Sequence, residues 1–165
     1  MKKTLLAALS VLFFLGCSSN ATPETVKPVL VAQQSLESLK LNDQFEVSHE
    51  LDAQTQKIIF AFSKDIGHTC NEFLATKTPE YLQENKAIFV ADVSSAPSLI
   101  RSMFILPGLK DFKHTVWVLE DKDISAAYKA GVQNDKIIVV YLQNKIITDI
   151  QTFTTTQELE AAIQK

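Results

Sequence analysis

Two residues that could carry out thiol chemistry lie close together in the stretch Gly67-His68-Thr69-Cys70. A cysteine reacts as its thiolate, and a nearby imidazole lowers the pKa of the thiol. The residue types therefore allow a reactive site in which Cys70 is the nucleophile and His68 lowers the pKa of its thiol. The alternative is a buried and inert Cys70 beside a solvated His68. This is the commoner outcome, because free cysteine is among the most buried residue types.

The other cysteine, Cys17, follows a short apolar segment near the start of the sequence. Lys2 and Lys3 precede an apolar stretch of 12 residues, whereas a helix needs about 20 to cross a bilayer. A basic start, a short apolar segment and a small residue before the cut are typical of a secretory signal peptide. The stretch Phe14-Leu15-Gly16-Cys17 resembles the lipobox of bacterial lipoproteins. The resemblance implies removal of residues 1–16 and lipidation of Cys17.

The lipobox resemblance also implies a location. Ser18 follows the cysteine where an Asp would favour retention in the inner membrane. The expectation is a palmitate-bearing protein on the outer membrane, facing the periplasm. Three acyl chains would hold it there almost permanently, since each buried methylene contributes about 0.8 kcal/mol. Residues 17–43 are expected to form the lipidated terminus and a tether, with a short helix over residues 29–39.

Lipidation of Cys17 would leave Cys70 as the only thiol in an oxidising compartment, so that no internal disulfide could form. Without Lys2 and Lys3, 14 of the 16 basic residues remain against 19 acidic ones, a net charge of −5. No basic patch stands out, and nucleic acid is therefore excluded as a partner.

His49 and His114 lack metal-ligand spacing. His68 and Cys70 would supply two ligands where zinc takes four. We expect no metal and no cofactor.

Residues 44–165 alternate between strand-like and helical patterns, which predicts an α/β domain with a largely parallel sheet centre. Apolar or alternating runs of strand length predict the strands, and capped stretches with apolar residues at helical spacing predict the helices. The strands are expected at 44–50, 57–62, 87–93, 115–120, 136–142 and 145–150, and the helices at 71–85, 95–106, 123–130 and from 155 onward.

The order of these elements resembles the thioredoxin superfamily, in particular the branch of envelope thiol-disulfide oxidoreductases and peroxiredoxins. The resemblance rests on Ile58-Ile59-Phe60-Ala61-Phe62, on Trp117-Val118-Leu119-Glu120-Asp121 with the helix and Gly131-Val132 that follow, and on the closing hairpin and helix. It implies a three-layer fold with a central mixed sheet flanked by helices. An inserted helix–strand unit and a C-terminal β-hairpin plus helix complete that fold.

The family chemistry is incomplete in this sequence. In the oxidoreductases a Cys-x-x-Cys opens the first long helix, and the matching stretch here is Gly67-His68-Thr69-Cys70, with Gly67 in the nucleophile position. The position of the family's cis-proline falls on Lys136, or on Asp135 if the register slips by one. In the peroxiredoxin register, Pro-x-x-x-Thr-x-x-Cys, Ser63 replaces the proline and Gly67 the threonine. Only the cysteine of that motif remains.

The carboxyl ends of parallel strands form the usual ligand-binding edge of such sheets. Asp65, Asp92 and Lys136 are expected at that edge, and with Gly67 and Thr69 they are candidates for a polar pocket. Solvated strand ends are the plainer interpretation. The cluster of Leu99, Met103, Phe104 and Leu106 is expected in the core, although it could receive a partner.

Two functions follow from these patterns. The first is a membrane-anchored periplasmic lipoprotein with a redox-inactive thioredoxin-like domain, a binding or scaffolding module for an envelope protein or a small ligand. The alternative is a one-cysteine peroxiredoxin-like enzyme or a thiol-dependent reductase that uses Cys70.

Overall fold

A computed structural model describes residues 26–165 of the chain. The expectations for the signal peptide, for Cys17 and for the first part of the tether fall on residues 1–25, outside the described residues. Seven strands and the intervening helical segments follow one another along the described part. The strands are β1 (Lys40–Asp43), β2 (Ser48–Glu50), β3 (Lys57–Ala61), β4 (Ala87–Asp92), β5 (Trp117–Leu119), β6 (Ile137–Gln143) and β7 (Ile146–Phe153).

Helices cover the sheet between these strands. Three of them are α1 (Lys64–Ala75), α2 (Tyr81–Glu84) and α3 (Ser98–Ile100). α3 continues through a π-helical turn, Arg101–Ile105, directly into α4 (Leu106–Leu109), so that residues 98–109 form one helical segment. The last two are α5 (Lys122–Lys129) and α6 (Thr156–Gln164). None of the helices in residues 26–165 combines the length and the apolar character that a membrane span requires.

The seven strands form one mixed sheet in the order β2-β1-β5-β4-β3-β6-β7. β3, β4 and β5 run parallel, whereas β6 is antiparallel to β3, and β7 and the β1–β2 hairpin are antiparallel additions at the two sides. The carboxyl ends of β3, β4 and β5 and the amino end of β6 therefore meet at one edge of the sheet, which we call the C-edge. The expected mixed sheet, inserted helix–strand unit and closing hairpin with a helix are all present.

The central strands are apolar because both faces of the sheet are covered. One core layer includes Phe60, Tyr128 and Leu142, and the other includes Ile59, Leu74 and Phe89. Every residue of β3 is buried. The last helix begins with the expected capping box, in which Thr155 and Glu158 each bind the backbone of the other, and its inner side is formed by Leu159, Ala162 and Ile163.

The segment before β1 differs from the expected tether with a short helix. Residues 29–39 contain turns and an isolated bridge between Ser35 and Ile146, with no helix. Leu30, Leu36 and Leu39 are nevertheless buried in the first core layer. Their spacing suited a helix face, but the segment instead lies as an irregular strap over the sheet. The folded body thus begins well before residue 44.

The strand expected over residues 44–50 is shorter than its alternating pattern indicated. β2 contains residues 48–50 only, and Phe45 and Val47 are exposed at the tip of the β1–β2 turn. The carboxylate of Asp43 causes this turn, since its Oδ1 accepts hydrogen bonds from the backbone N–H groups of Phe45 and Val47. The local capping interaction outweighs the strand pattern.

Candidate functional site around Cys70

Helix α1 begins immediately after β3, earlier than the sequence pattern indicated. Ser63 is its N-cap, and the Ser63 hydroxyl accepts a hydrogen bond from Ile66 N. Asp65 lies in the first turn, where a carboxylate is favoured by the helix dipole. A serine cap with an acidic residue in the first turn is a recognisable start signal. The helix therefore begins at Lys64 and not at Asn71.

This start changes the register of the thioredoxin motif. Cys70 is the seventh residue of α1, almost two turns beyond the N-cap. The residues that open the helix, where a Cys-x-x-Cys would stand, are Ser63-Lys64-Asp65-Ile66 and contain no sulfur. Gly67 lies one turn into the helix and does not occupy the position of a nucleophile. The favourable effect of a helix N-terminus on a thiolate is confined to the first turn, so it does not reach Cys70.

Cys70 points into the core, where its exposed fraction is 0%. It belongs to the core layer that contains Ile59, Leu74 and Phe89. Burial raises the pKa of the Cys70 thiol to about 12, because the charged thiolate is disfavoured among apolar neighbours. At neutral pH this pKa favours the neutral thiol over the thiolate, which is the reactive form of cysteine.

His68 lies on the opposite side of α1 from Cys70. Residues two apart in a helix do not face each other, and the His68 side chain is 69% exposed. Its Nε2 is 3.1 Å from Glu72 Oε1, an i,i+4 pair on the solvent face. The structure does not bring His68 to the thiol. Thr69 donates its hydroxyl hydrogen to the Asp65 carbonyl at 2.9 Å.

Asp92 is at the C-edge, as expected, but it is a buried ion-pair partner. Its Oδ2 accepts hydrogen bonds from the hydroxyl of Ser125 at 2.8 Å and from the ammonium of Lys129. Its Oδ1 accepts from Ser94 N. These contacts attach α5 to the end of β4. Lys136 immediately precedes β6 at the same edge, half-buried, and Asp65 lies exposed on α1. The three share an edge without contacting one another.

The backbone at Lys136 departs from the family pattern in one further respect. No cis peptide bond occurs within residues 26–165, so the loop before β6 lacks the cis-proline geometry. The same part of the chain contains no cluster of three His, Cys, Asp or Glu side chains suited to a metal ion.

A buried polar contact that no sequence pattern indicated joins α1 to the loop before β5. The His114 Nε2–H donates a hydrogen bond to Asn71 Oδ1 at 2.9 Å, and both residues are buried. The His114 Nδ1 has no hydrogen-bond partner within residues 26–165. Burial lowers the pKa of His114 to about 4, so the imidazole is neutral at neutral pH. Only the three-dimensional structure joins these two positions, since neither stands in a motif.

A second polar site lies at the edge opposite the C-edge. His49 stacks on Trp117 with ring centroids 5.2 Å apart, and its Nε2 is 2.8 Å from Asp43 Oδ2. Beside them is a cavity of about 380 Å³ whose other lining residues include Gln54 and Lys86. The size is adequate for a small polar ligand.

No protein-family model matches this chain, and no curated protein matches it by sequence. Solved structures do match its fold. One is a protein disulfide isomerase homologue of Bacteroides thetaiotaomicron, with a TM-score of 0.53 and 7% identity over 84% of this chain and 89% of that one. Another is the exposed lipoprotein thioredoxin of Streptococcus pneumoniae, with a TM-score of 0.52 and 10% identity over 76% and 97% of the two chains. A third is reduced Prx3 of Vibrio vulnificus, with a TM-score of 0.50 and 12% identity over 82% and 99%.

The domain has a thioredoxin-like fold. Identities this low establish the fold and nothing about activity. The expected resemblance to thiol-disulfide oxidoreductases and peroxiredoxins is thus confirmed for the architecture. Cys70 lies neither at the start of α1 nor at an accessible position.

Proposed function

We propose that the protein is a lipid-anchored module whose thioredoxin-like domain binds or scaffolds a partner and performs no thiol redox chemistry. The placement of Cys70 carries this proposal. Cys70 is fully buried, it is the seventh residue of α1, and burial raises its pKa to about 12. These features keep the thiol protonated and shielded at neutral pH, which supports a role other than nucleophile.

The anchor is part of the same proposal. Residues 1–16 would be removed as a signal peptide, and Cys17 would carry the lipid on the outer membrane, facing the periplasm. The lipobox-like stretch ending at Cys17 supports it. The partner is an envelope protein or a small ligand, and the cavity beside His49 and Trp117 offers room for the latter.

The chemical test uses the purified full-length protein under native conditions. Cys70 should be labelled by iodoacetamide only as fast as the domain unfolds, and mild peroxide should produce no sulfenic acid on it. The denatured protein, in which the thiol is exposed, is the positive control. Rapid labelling together with a sulfenic acid in the native state would instead support a one-cysteine peroxidase or a thiol-dependent reductase.

A cellular test separates binding from redox chemistry. A strain in which Cys70→Ala replaces the natural residue should keep the phenotype of the parent, since the alanine only fills the core position less well. Truncation of a buried side chain lowers the free energy of unfolding, so the variant's abundance must be measured alongside. Loss of the phenotype at unchanged abundance would contradict the proposal.

A further inference from the structure

Residues 98–109 expose a group of large apolar side chains that the sequence pattern places in the core. Leu99 is 63% exposed, Met103 58% and Phe104 64%, and Ile100 is 42% exposed beside them. We call these four residues the apolar face. Soluble proteins rarely leave several large apolar side chains together in water, and such patches mark protein or membrane contacts.

The π-helical turn explains why the core expectation was wrong for three of these residues. The wider turn changes the helical register, and π-bulges of this kind often mark functional positions. Leu106 and Ile105 pack against the core and Leu109 is buried within it. These residues occupy the inner side, which leaves Leu99, Met103 and Phe104 on the outer side of the segment.

The outer side of this segment carries almost no charge. Arg101 is the only charged residue from Val93 to Leu109, and its guanidinium turns back to the body of the domain. There its Nη1 donates to the carbonyls of Ser94 and Ala96, and its Nε lies 3.9 Å from Glu120 Oε2. Since the Arg101 guanidinium is bound by groups of the domain itself, the apolar face exposes only hydrocarbon side chains.

Residues 98–109 and the start of the described chain both lie toward the C-edge, on opposite faces of the sheet, since Leu106 packs against one core layer and Val29 against the other. Glu120, which contacts Arg101, follows β5 at the C-edge, and α5 begins two residues later. Val29 N donates to the carbonyl of Ala127 on that helix. Eight residues lie between Cys17 and Val26, and an extended chain of that length spans at most about 30 Å between the two. A lipid on Cys17 would keep this edge near the bilayer.

We propose that the apolar face inserts into the boundary between headgroups and acyl chains of the membrane that holds the Cys17 lipid. The inference rests on the anchor proposed above and adds the surface with which the domain lies on the bilayer. Apolar side chains on one side of a helical segment bind membranes by burying their area at this depth. The short tether makes the contact intramolecular, which raises its effective concentration.

The test uses the mature lipoprotein, which begins at Cys17, purified from the envelope and reconstituted into vesicles of phosphatidylethanolamine and phosphatidylglycerol. Phe104→Trp places a fluorescent reporter on the apolar face. Phe45→Trp is its matched control, because Phe45 is 55% exposed in a turn at the opposite edge of the sheet. The natural Trp117 is buried and sets the background. Lipids with brominated acyl chains should quench the Phe104→Trp reporter several-fold more than the Phe45→Trp reporter. Adding Leu99→Asp and Met103→Asp should abolish the difference.

Three outcomes would overturn the docking. The first is equal quenching at both positions. The second is a blue shift of the reporter without bromolipid quenching, accompanied by a dimeric mass, which would assign the face to a second copy of this chain. The third is protection of the reporter only when another envelope protein is bound. The intact mass of the protein shows whether Cys17 is lipidated, and it therefore separates these three outcomes from failure of the anchor. An unmodified Cys17 removes both proposals, whereas a lipidated Cys17 without quenching removes only the docking.

Discussion

The His114 Nε2–H donates to Asn71 Oδ1 across 2.9 Å in the core and joins the loop before β5 to the middle of α1. The pair is buried among apolar side chains, and the imidazole also packs against Phe89 and Phe112. A neutral imidazole suits this site, whereas a charged one would leave a proton without an acceptor.

The lowered pKa of His114 predicts acid sensitivity. The folded protein binds the His114 proton near pH 4 and the unfolded chain near pH 6.5. The contribution of neutral His114 to the free energy of unfolding is therefore complete above pH 6.5 and is lost as the pH falls toward 4. We expect about 2 kcal/mol less free energy of unfolding at pH 5 than at pH 7.5 from this group. Urea titrations at both pH values measure the difference. His114→Asn should reduce it, and His68→Gln, at an exposed position, should not.

Gly67 and Gly131 should respond oppositely to substitution by alanine. Gly67 lies inside α1, and an added Cβ would meet nothing within 4 Å. Gly67→Ala should therefore raise the free energy of unfolding by about 0.5–1 kcal/mol. Gly131 has φ +82°, and alanine there should cost about 1–2 kcal/mol. Thermal unfolding of both variants gives the comparison, and a destabilised Gly67→Ala would mean that α1 does not begin before Gly67.

The side chain of Gln44 replaces a missing strand partner. Its Nε2 donates to the His114 carbonyl at 2.9 Å, and its Oε1 accepts from Val116 N at 2.8 Å. Gln44→Leu would leave both backbone groups buried without partners, at a cost of about 2–4 kcal/mol. Gln83→Leu, at an exposed position, should change the unfolding free energy by less than about 0.5 kcal/mol. Similar unfolding midpoints for the two variants would contradict this role.

The Asp92–Lys129 ion pair should matter for stability. Lys129→Met leaves the buried Asp92 carboxylate with only the donors from Ser94 and Ser125. Removing one partner of a buried pair costs about 3 kcal/mol. Lys113→Met, at an exposed position outside the helices and strands, is the matched surface control. Chemical denaturation of both variants measures the loss of stability. A Lys129→Met midpoint equal to that of the control would mean that the Asp92–Lys129 pair does not stabilise the fold.

The buried strands could be predicted because a strand covered on both faces must be apolar throughout, as β3 is. The closing capping box was equally legible, since Thr155 and Glu158 interact within three residues. Such features are local in sequence. The start of α1 had an equally local signal in Ser63 and Asp65. Gly67-His68-Thr69-Cys70, which resembles a Cys-x-x-Cys at a helix start, lies about one turn beyond the actual start of α1.

Other features depend on partners distant in sequence. The strap over residues 29–39 is held by the β6–β7 hairpin, where Gln33 N donates to the Ile147 carbonyl. No spacing within the strap reveals that contact. The burial of Cys70 and the contact of His114 with Asn71 also depend on how α1 meets the sheet. The exposure of Phe104 depends on a π-helical turn that no periodicity indicated.

The strap also constrains the order in which this chain can mature. Its backbone bonds to Ile147 and Lys145 join the strap to a hairpin that lies more than a hundred residues later in the sequence. Leu30 and Leu36 share a core layer with Leu142 and Ile147. Contacts so distant along the sequence form late, after the entropy of closing a very long loop is overcome. A partly synthesised chain therefore cannot complete its core. Residues 29–39 therefore reach their folded position only once the β6–β7 hairpin has been made.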